Sequence, residues 1–169
     1  MKFDHYIIVR FFLKRGFKKI ADQKEIDYRI NIANNFLIKS MNKQTKKNFK
    51  MFFLVDPYYK KYDFSKLNLN DNYEIIFLEL LPETIRFVNL NNDFLITTRI
   101  DSDDFVCHDF IESIQSTFLR NKKECLIDFE NVNFIDHKFS KLSTKKYKFN
   151  SMFLSTCFKP KIIMKNFAF

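Results

Sequence analysis

Apolar segments alternate along the 169-residue chain in an order that few folds can accommodate. Runs rich in Ile, Val and Phe are typical of buried strands, and apolar residues at steps of three and four are typical of an amphipathic helix. The order along the chain is strand, helix, strand, strand, strand, helix. It predicts an α/β fold with an open, mostly parallel sheet flanked by helices. The predicted strands cover 5–13, 49–55, 73–80, 94–100 and part of 125–135, and the predicted helices cover 22–43 and a segment that starts at the acidic string 101–104.

A single glycine, Gly16, restricts how the chain can bind phosphate groups. The Walker loop and the dinucleotide-binding fingerprint each need several glycines, because backbone amides must approach the phosphates closely. Neither motif can be written with one glycine. A nucleotide bound by this chain would therefore be held by side chains or by a metal ion.

Cysteine usage and hydropathy indicate a cytoplasmic protein. Cys107, Cys125 and Cys157 are odd in number and contain no C-x-x-C pair, so we expect three buried, reduced thiols and no zinc site or disulfide framework. No apolar run reaches the length of about 18 residues that a membrane-spanning helix needs. The N-terminus lacks the pattern of a secretory signal.

The net charge of +9 is concentrated at one end of the chain. Residues 138–169 contain eight lysines and no acid, whereas residues 1–137 contain 21 positive and 20 negative side chains. We therefore expect no nucleic-acid partner, and we divide the chain into a domain at 1–137 and a basic, amphipathic segment at 138–169. Two interpretations of that segment stay open. It lies on an anionic membrane surface, at its inner face, or its lysines solvate an incomplete acceptor region.

The string Asp101-Ser102-Asp103-Asp104 follows an apolar strand directly. Carboxylates so close together repel one another unless a cation lies between them, and oxygen ligands suit Mg²⁺ or Mn²⁺. The alternative is that Asp103 or Asp104 caps the following helix. Arg10 and Asp56 also lie at predicted strand ends, where ligands bind in open α/β sheets.

Three stretches of the chain resemble one family. The acidic stretch 96–115 (ITTRIDSDDFVCHDFIESIQ) is similar to the metal-binding segment of the rhamnosyltransferase-type family of GT-A glycosyltransferases. The opening strand HYIIVRF at 5–11 resembles that family's first strand. The stretch SMNKQT at 40–45, followed by Asn48-Phe49 and a strand that ends at Asp56, resembles its "S-x-x-x-Q-T, N-F, strand, D" pattern. Only 65 residues follow Asp104, whereas these relatives continue further.

The resemblance implies a GT-A-like, Rossmann-like nucleotide-diphospho-sugar transferase fold and a set of ligand-binding residues. Asp101 and Asp103 match the D-x-D motif that binds Mn²⁺ or Mg²⁺, with Asp101 also near the donor ribose or pyrophosphate. Asp56 matches the acidic residue that contacts the nucleotide base. Arg10 and Arg99 would lie near the phosphates, although a structural salt bridge explains either arginine equally well.

The activity implied is that of a metal-dependent glycosyltransferase of the hexosyltransferase type. It would move a sugar from a nucleoside-diphosphate donor to a saccharide or lipid-linked acceptor in surface polysaccharide synthesis. Two alternatives stay open: a truncated or inactive transferase-fold binding subunit, and a nucleic-acid-binding protein or metal nuclease. No catalytic base is predicted, because the candidates after the second helix lie in no motif: Asp128, Glu130, Asp136 and His137.

Overall fold

The computed structural model describes residues 1–13, 21–78, 86–135, 141–148 and 153–160. The strands are β1 (Phe3–Phe12), β2 (Lys50–Val55), β3 (Tyr73–Phe77), β4 (Phe94–Asp101), β5 (Cys125–Ile127), β6 (Asn131–Ile135), β7 (Leu142–Lys146) and β8 (Ser155–Phe158). The centre of the fold is a six-stranded sheet in the order β3-β2-β1-β4-β8-β5, and β6 and β7 form a separate two-stranded sheet. The helices are α1 (Gln23–Ala33), a π-helical turn (Asn34–Ile38), α2 (Lys39–Met41), a 3₁₀ turn (Pro57–Lys61) and α3 (Phe110–Asn121).

Four neighbouring strands of the large sheet are parallel. Strand β1 pairs with β2 on one side and with β4 on the other, and β2 pairs with β3. Among the described strands of this sheet, β8 runs antiparallel to its neighbours β4 and β5. The chain thus leaves β1 toward β2 and returns on the opposite side of β1 as β4, which makes the gap between β1 and β4 a topological switch point. The predicted fold class, an open and mostly parallel α/β sheet flanked by helices, is confirmed.

Apolar side chains cover both faces of the sheet, as a mostly parallel sheet requires. One face packs against helices α1 and α3, and the fully buried side chains of Val9, Phe53, Ile30 and Ile114 belong to this core. A smaller cluster on the other face is built from six buried residues. They are Tyr6, Phe52, Leu54, Ile76, Leu78 and Leu95. Each buried side chain of this size contributes about 1.5–3 kcal/mol to folding.

The start of α1 follows the sequence pattern, and the start of α3 does not. Asp22 caps α1, because its side chain accepts a hydrogen bond of 2.9 Å from the Glu25 amide. The prediction that the second helix starts at the acidic string was wrong, since α3 begins at Phe110 after a non-helical stretch. Neither Asp103 nor Asp104 therefore caps this helix.

The C-terminal part of the chain contributes to the sheet. Strand β8 lies inside the large sheet between β4 and β5, and β7 pairs with β6. The boundary predicted at 137/138 falls in residues 136–140, outside the described part of the chain. Within the described residues, no helix is long and apolar enough to span a bilayer.

The three cysteines differ in their environments. All are free thiols, but only Cys157 is buried; Cys125 is partly exposed and Cys107 is exposed. The prediction of three buried thiols was therefore wrong for Cys107, which lies in the irregular segment between β4 and α3, and for Cys125, which lies on the edge strand β5.

Candidate functional site

Arg10 and Asp101 meet at the switch point of the sheet. They are direct partners in the β1–β4 register, near the carboxyl ends of both strands. Arg10 Nη2 donates to both carboxylate oxygens of Asp101, at 2.9 and 3.2 Å, and Arg10 Nε donates to Oδ1 at 3.2 Å. About two fifths of the Arg10 side chain and a third of the Asp101 side chain remain exposed. The pair is therefore accessible to a ligand, and the salt bridge fixes the carboxylate in one orientation.

The acidic string forms a tight turn at the end of β4. The Asp104 amide donates to the Asp101 carbonyl at 3.2 Å, and the Asp101 amide donates to Asp104 Oδ2 at 3.0 Å. The backbone amide and the carboxylate of Asp104 thus both close the turn onto Asp101. Ser102 is buried in the turn, whereas Asp103 is exposed.

Asp104 has an unusual environment for a carboxyl group. Its partial burial raises its pKa to about 6, and the negative charges of Asp103 and Asp101 act in the same direction. The hydrogen bond from the Asp101 amide and the charge of Arg99 lower the pKa and so oppose this shift. A carboxyl with a pKa near neutrality beside two other acids is typical of functional sites.

Asp103 is the acidic residue of this turn that has no partner within the described part of the chain. Among the described residues, no hydrogen bond or ion pair engages its carboxylate. The described part of the chain also brings no three His, Cys, Asp or Glu side chains together as a complete metal site. Magnesium sites in nucleotide-dependent enzymes commonly use one or two carboxylates and complete their coordination with water and substrate phosphates. Asp101 and Asp103 fit a site of that kind.

Arg99 and Asp56 lie near this edge without joining the Arg10–Asp101 pair. Arg99 is exposed and precedes Asp101 by two residues on β4, so both side chains project from the same face of the sheet. The Asp56 amide donates to the Phe12 carbonyl at 2.7 Å, which places Asp56 at the adjoining end of β1. Asp56 Oδ1 accepts from the Tyr58 amide at 2.8 Å and caps the 3₁₀ turn, which leaves Oδ2 for other contacts.

A buried glutamine that the sequence analysis did not assign to the site holds the segment after the acidic turn. Gln44 Nε2 donates to the Cys107 carbonyl at 2.7 Å, and Gln44 Oε1 accepts from the Ile111 amide at 2.9 Å. Ile111 lies in the first turn of α3, where backbone amides lack helical partners. Gln44 therefore caps α3 from another element, a role that Asp109 does not perform.

Two neighbours of Gln44 support the same segment. Ser40 Oγ accepts from the Val106 amide at 3.3 Å, and the Thr45 amide donates to the His108 carbonyl at 2.8 Å. The "S-x-x-x-Q-T" stretch thus holds the segment after the acidic turn in place through hydrogen bonds. The sequence signal for this role is that Gln44, a polar residue, occupies the next position of the apolar stripe of the preceding helix.

A second buried polar network crosses the sheet. His5 Nε2 lies 2.8 Å from Thr98 Oγ1, which lies 2.7 Å from Ser155 Oγ, and Gln115 Nε2 lies 3.3 Å from His5 Nδ1. Because an amide nitrogen only donates, His5 Nδ1 accepts and Nε2 carries the proton. Complete burial lowers the pKa of His5 to about 3, so the ring is neutral at ordinary pH. The network links β1, β4, β8 and α3.

Of the remaining candidates, Glu130 and Asp128 lie in the described part of the chain and have partners of their own. Glu130 Oε1 pairs with Lys146 at 2.8 Å, and Asp128 Oδ1 accepts from the Phe129 amide. Asp136 and His137 lie outside the described residues.

A cavity of about 340 Å³ lies between the π-helical turn and the loop after the acidic string. Its lining includes Phe36, Lys39, Ser40, Lys43, Phe105, Val106 and His108.

The comparisons with known proteins give likenesses of fold at low identity. No protein-family model matches the sequence, and no curated protein matches it. Among solved structures, a 4-diphosphocytidyl-2C-methyl-D-erythritol synthase from Anaerococcus prevotii DSM 20548 is 11% identical with a TM-score of 0.49, over 98% of this chain and 76% of that one.

Two further solved structures are similar at a comparable level. The 2-C-methyl-D-erythritol 4-phosphate cytidylyltransferase (IspD) of Francisella tularensis is 15% identical with a TM-score of 0.42, over 93% of this chain and 73% of that one. S. aureus TarS 1–349 is 13% identical with a TM-score of 0.41, over 73% of this chain and 34% of that one. The α/β architecture described above rests on strand order and pairing, not on these likenesses.

Proposed function

We propose that the chain is a metal-dependent glycosyltransferase that binds a nucleoside-diphosphate sugar at the carboxyl edge of β1, β2 and β4. The observation that carries the proposal is the placement of Arg10 and Asp101 at the switch point, with the exposed Asp103 two residues later. Ligands of open α/β sheets bind at this point of the fold. The resemblance of residues 96–115 to a D-x-D segment supports a nucleotide-sugar ligand.

The donor's diphosphate would lie against the acidic turn. Asp101 and Asp103 would hold Mn²⁺ or Mg²⁺ together with the diphosphate oxygens, and the metal would offset charge on the departing diphosphate. Arg10 keeps the Asp101 carboxylate in a fixed orientation through both of its oxygens. Because the Arg10 guanidinium stays partly exposed, its remaining donors are available to a phosphate.

Two further side chains would contact other parts of the donor. Arg99 projects from the same face as Arg10 and adds positive charge beside the diphosphate. Asp56, at the neighbouring end of β2, keeps one carboxylate oxygen available for the nucleoside after it has capped the 3₁₀ turn. The sugar would pass to a saccharide or lipid-linked acceptor of a surface polysaccharide, whose attacking hydroxyl needs a general base.

A thermal-shift screen tests the proposal. Nucleoside diphosphates and nucleotide sugars are added one by one, with and without Mn²⁺, and the shift in Tm is compared with that of Mn²⁺ alone. At least one nucleotide should raise the Tm only when the metal is present. Shifts that do not depend on metal, or no shift with any nucleotide, would overturn the proposal.

A sugar-release assay and a nucleic-acid binding assay separate the two other functions. Metal-dependent nucleotide binding without release of sugar from any donor, in the presence of acceptor extracts, would identify a binding subunit. Tight binding to DNA or RNA that weakens steeply with salt would instead identify a nucleic-acid-binding protein, because such binding releases counterions.

A further inference from the structure

Two of the three cysteines face each other across the edge of the large sheet. Cys125 on β5 is the direct partner of Cys157 on β8 in their antiparallel pairing. Residues that are direct partners in such a pair have Cα atoms about 4.5–5.5 Å apart. A disulfide spans Cα atoms about 4.4–6.8 Å apart, so the backbone already satisfies its main geometric condition. Both residues are free thiols in this structure.

The two thiols contact each other but differ in access to solvent. The Cys157 side chain is buried, with 1% of the residue exposed, whereas Cys125 is partly exposed on the edge strand β5. Burial raises the pKa of the Cys157 thiol to about 12, and the charge and hydrogen bonding of Cys125 add to this shift. Cys125 is therefore the thiol that a soluble oxidant reaches, and Cys157 is the neighbour placed to attack it afterwards.

We propose that Cys125 and Cys157 are an oxidation site at which a low-molecular-weight disulfide, RSSR, forms an intrachain disulfide. The Cys125 thiolate attacks one sulfur of RSSR, forms a mixed disulfide and releases one RS⁻, which takes up a proton. Cys157 loses its proton and attacks Cys125 Sγ, which forms the Cys125–Cys157 bond and expels the second RS⁻ as RSH. Two protein thiols are oxidised by two electrons, and one RSSR is reduced to two RSH.

The bond would join β5 to β8, and β8 carries one residue of the buried polar network. Strand β8 contributes Ser155, whose Oγ lies 2.7 Å from Thr98 Oγ1 on β4, the strand that ends at Asp101. A bond from Cys125 to Cys157 closes the loop that contains the β6–β7 hairpin, and closing a loop restricts the unfolded chain. Oxidation should therefore stabilise the sheet around β4.

Cys107 provides an internal contrast for the experiment. It is exposed, and within the described residues neither of the other two cysteines is its strand partner. An oxidant should leave a stable mixed disulfide on such a thiol, because no second thiol is placed to displace the adduct.

The test is oxidation of the folded, full-length Cys107→Ser variant with excess oxidised glutathione, followed by alkylation, intact-mass measurement and peptide mapping. The chain should lose two hydrogens, retain no glutathione, and yield a linked peptide pair that contains residues 125 and 157. The Tm should rise by several degrees and return to that of the reduced protein on addition of dithiothreitol.

In the same Cys107→Ser background, the Cys157→Ser variant should instead accumulate one glutathione on Cys125. If the serine variant does not fold, Cys157→Ala is used in its place. A folded Cys107→Ser protein that stays reduced, or that retains glutathione on Cys125, would overturn the proposal.

Discussion

Arg10 Nη2 lies 2.9 Å from Asp101 Oδ1 and 3.2 Å from Asp101 Oδ2, at the point where strands β1 and β4 run side by side to their carboxyl ends. The pair joins residues 91 positions apart in the sequence. The salt bridge holds the carboxylate of Asp101, the first acid of the D-x-D string, in one orientation, and Asp103 stays exposed beside it.

Replacing Arg10 should weaken nucleotide binding much more than it weakens the fold. In Arg10→Gln, we expect a loss in nucleoside-diphosphate affinity of about 10- to 100-fold, since a hydrogen bond to a charged group contributes about 1.5–3 kcal/mol. The free energy of unfolding should fall by less than about 1 kcal/mol, because the salt bridge is partly exposed. Calorimetric titration and urea unfolding measure the two effects.

Lys66→Gln is the matched control for Arg10→Gln, because it also removes one positive charge and one partly exposed salt bridge, the one between Lys66 and Asp27. It should leave nucleotide affinity unchanged. Equal losses of affinity in the two variants would mean that net charge, and not the position of Arg10, governs binding.

Gln44 should be a major contributor to the stability of the segment after the acidic turn. Gln44→Ala removes a hydrogen bond to the Cys107 carbonyl and one from the Ile111 amide, both in a buried setting. We expect the free energy of unfolding to fall by about 1–3 kcal/mol, because buried backbone groups lose their partners. Urea unfolding measures this loss.

The neighbouring exposed residue provides the comparison for Gln44. Lys43→Ala should change the free energy of unfolding by no more than about 0.5 kcal/mol, as is usual for surface substitutions. If Gln44→Ala were as mild as Lys43→Ala, the capping of α3 from Gln44 would not matter for stability.

The acidic turn shows what sequence patterns reveal and what they miss. Local hydropathy predicts strand β4, which runs into the acidic string, and local residue types predict that Asp22 caps α1. The start of α3 at Phe110 does not, because its first-turn amide is satisfied by Gln44, which lies 67 positions earlier in the sequence. Such long-range hydrogen bonds override the local preference of an Asp-rich string for a helix start.

The C-terminal strand makes the same point for the fold. The composition of residues 138–169 predicts a separate basic segment, yet Ser155–Phe158 lies between β4 and β5 in the large sheet. The pairing of Thr98 with Ser155 depends on partners 57 positions apart. No local periodicity specifies such an antiparallel insertion into a parallel sheet. The register that places Arg10 opposite Asp101 was likewise not specified, although both residues were predicted to lie at strand ends.

Stability should fall in acid because of His5. Its pKa is about 3 in the folded chain and about 6.5 when unfolded, so below about pH 6.5 the unfolded chain binds more protons and stability falls as the pH is lowered toward 3. Between pH 7 and pH 5 this effect costs about 2 kcal/mol. The raised pKa of Asp104 acts in the opposite sense below about 6, since its proton binds more tightly to the folded chain.

Urea unfolding of wild type and His5→Gln at pH 7 and pH 5 isolates the histidine, because Asp104 is present in both proteins. The wild type should lose about 2 kcal/mol more than the variant on acidification. Parallel losses would show that His5 does not titrate across this window.

Strand β8 should be required for folding. A chain that ends at residue 153 lacks the strand that pairs with both β4 and β5, and it lacks Ser155 and Cys157 from the sheet. We expect it to lose the cooperative thermal transition that a chain ending at Pro160, which retains β8, displays by circular dichroism. Cooperative unfolding of both chains at similar temperatures would contradict this prediction.

The most direct measurement is calorimetric titration of the best nucleoside diphosphate from the screen into wild type and Asp103→Asn, with and without Mn²⁺. Asp103 is exposed and makes no hydrogen bond or ion pair with other described residues, so the substitution should leave the fold intact. We predict that wild type binds the nucleotide only with the metal and that Asp103→Asn loses this binding while its Tm stays unchanged. Equal binding by the two proteins, or binding without metal, would contradict the assignment of Asp101 and Asp103 to a metal-dependent nucleotide site.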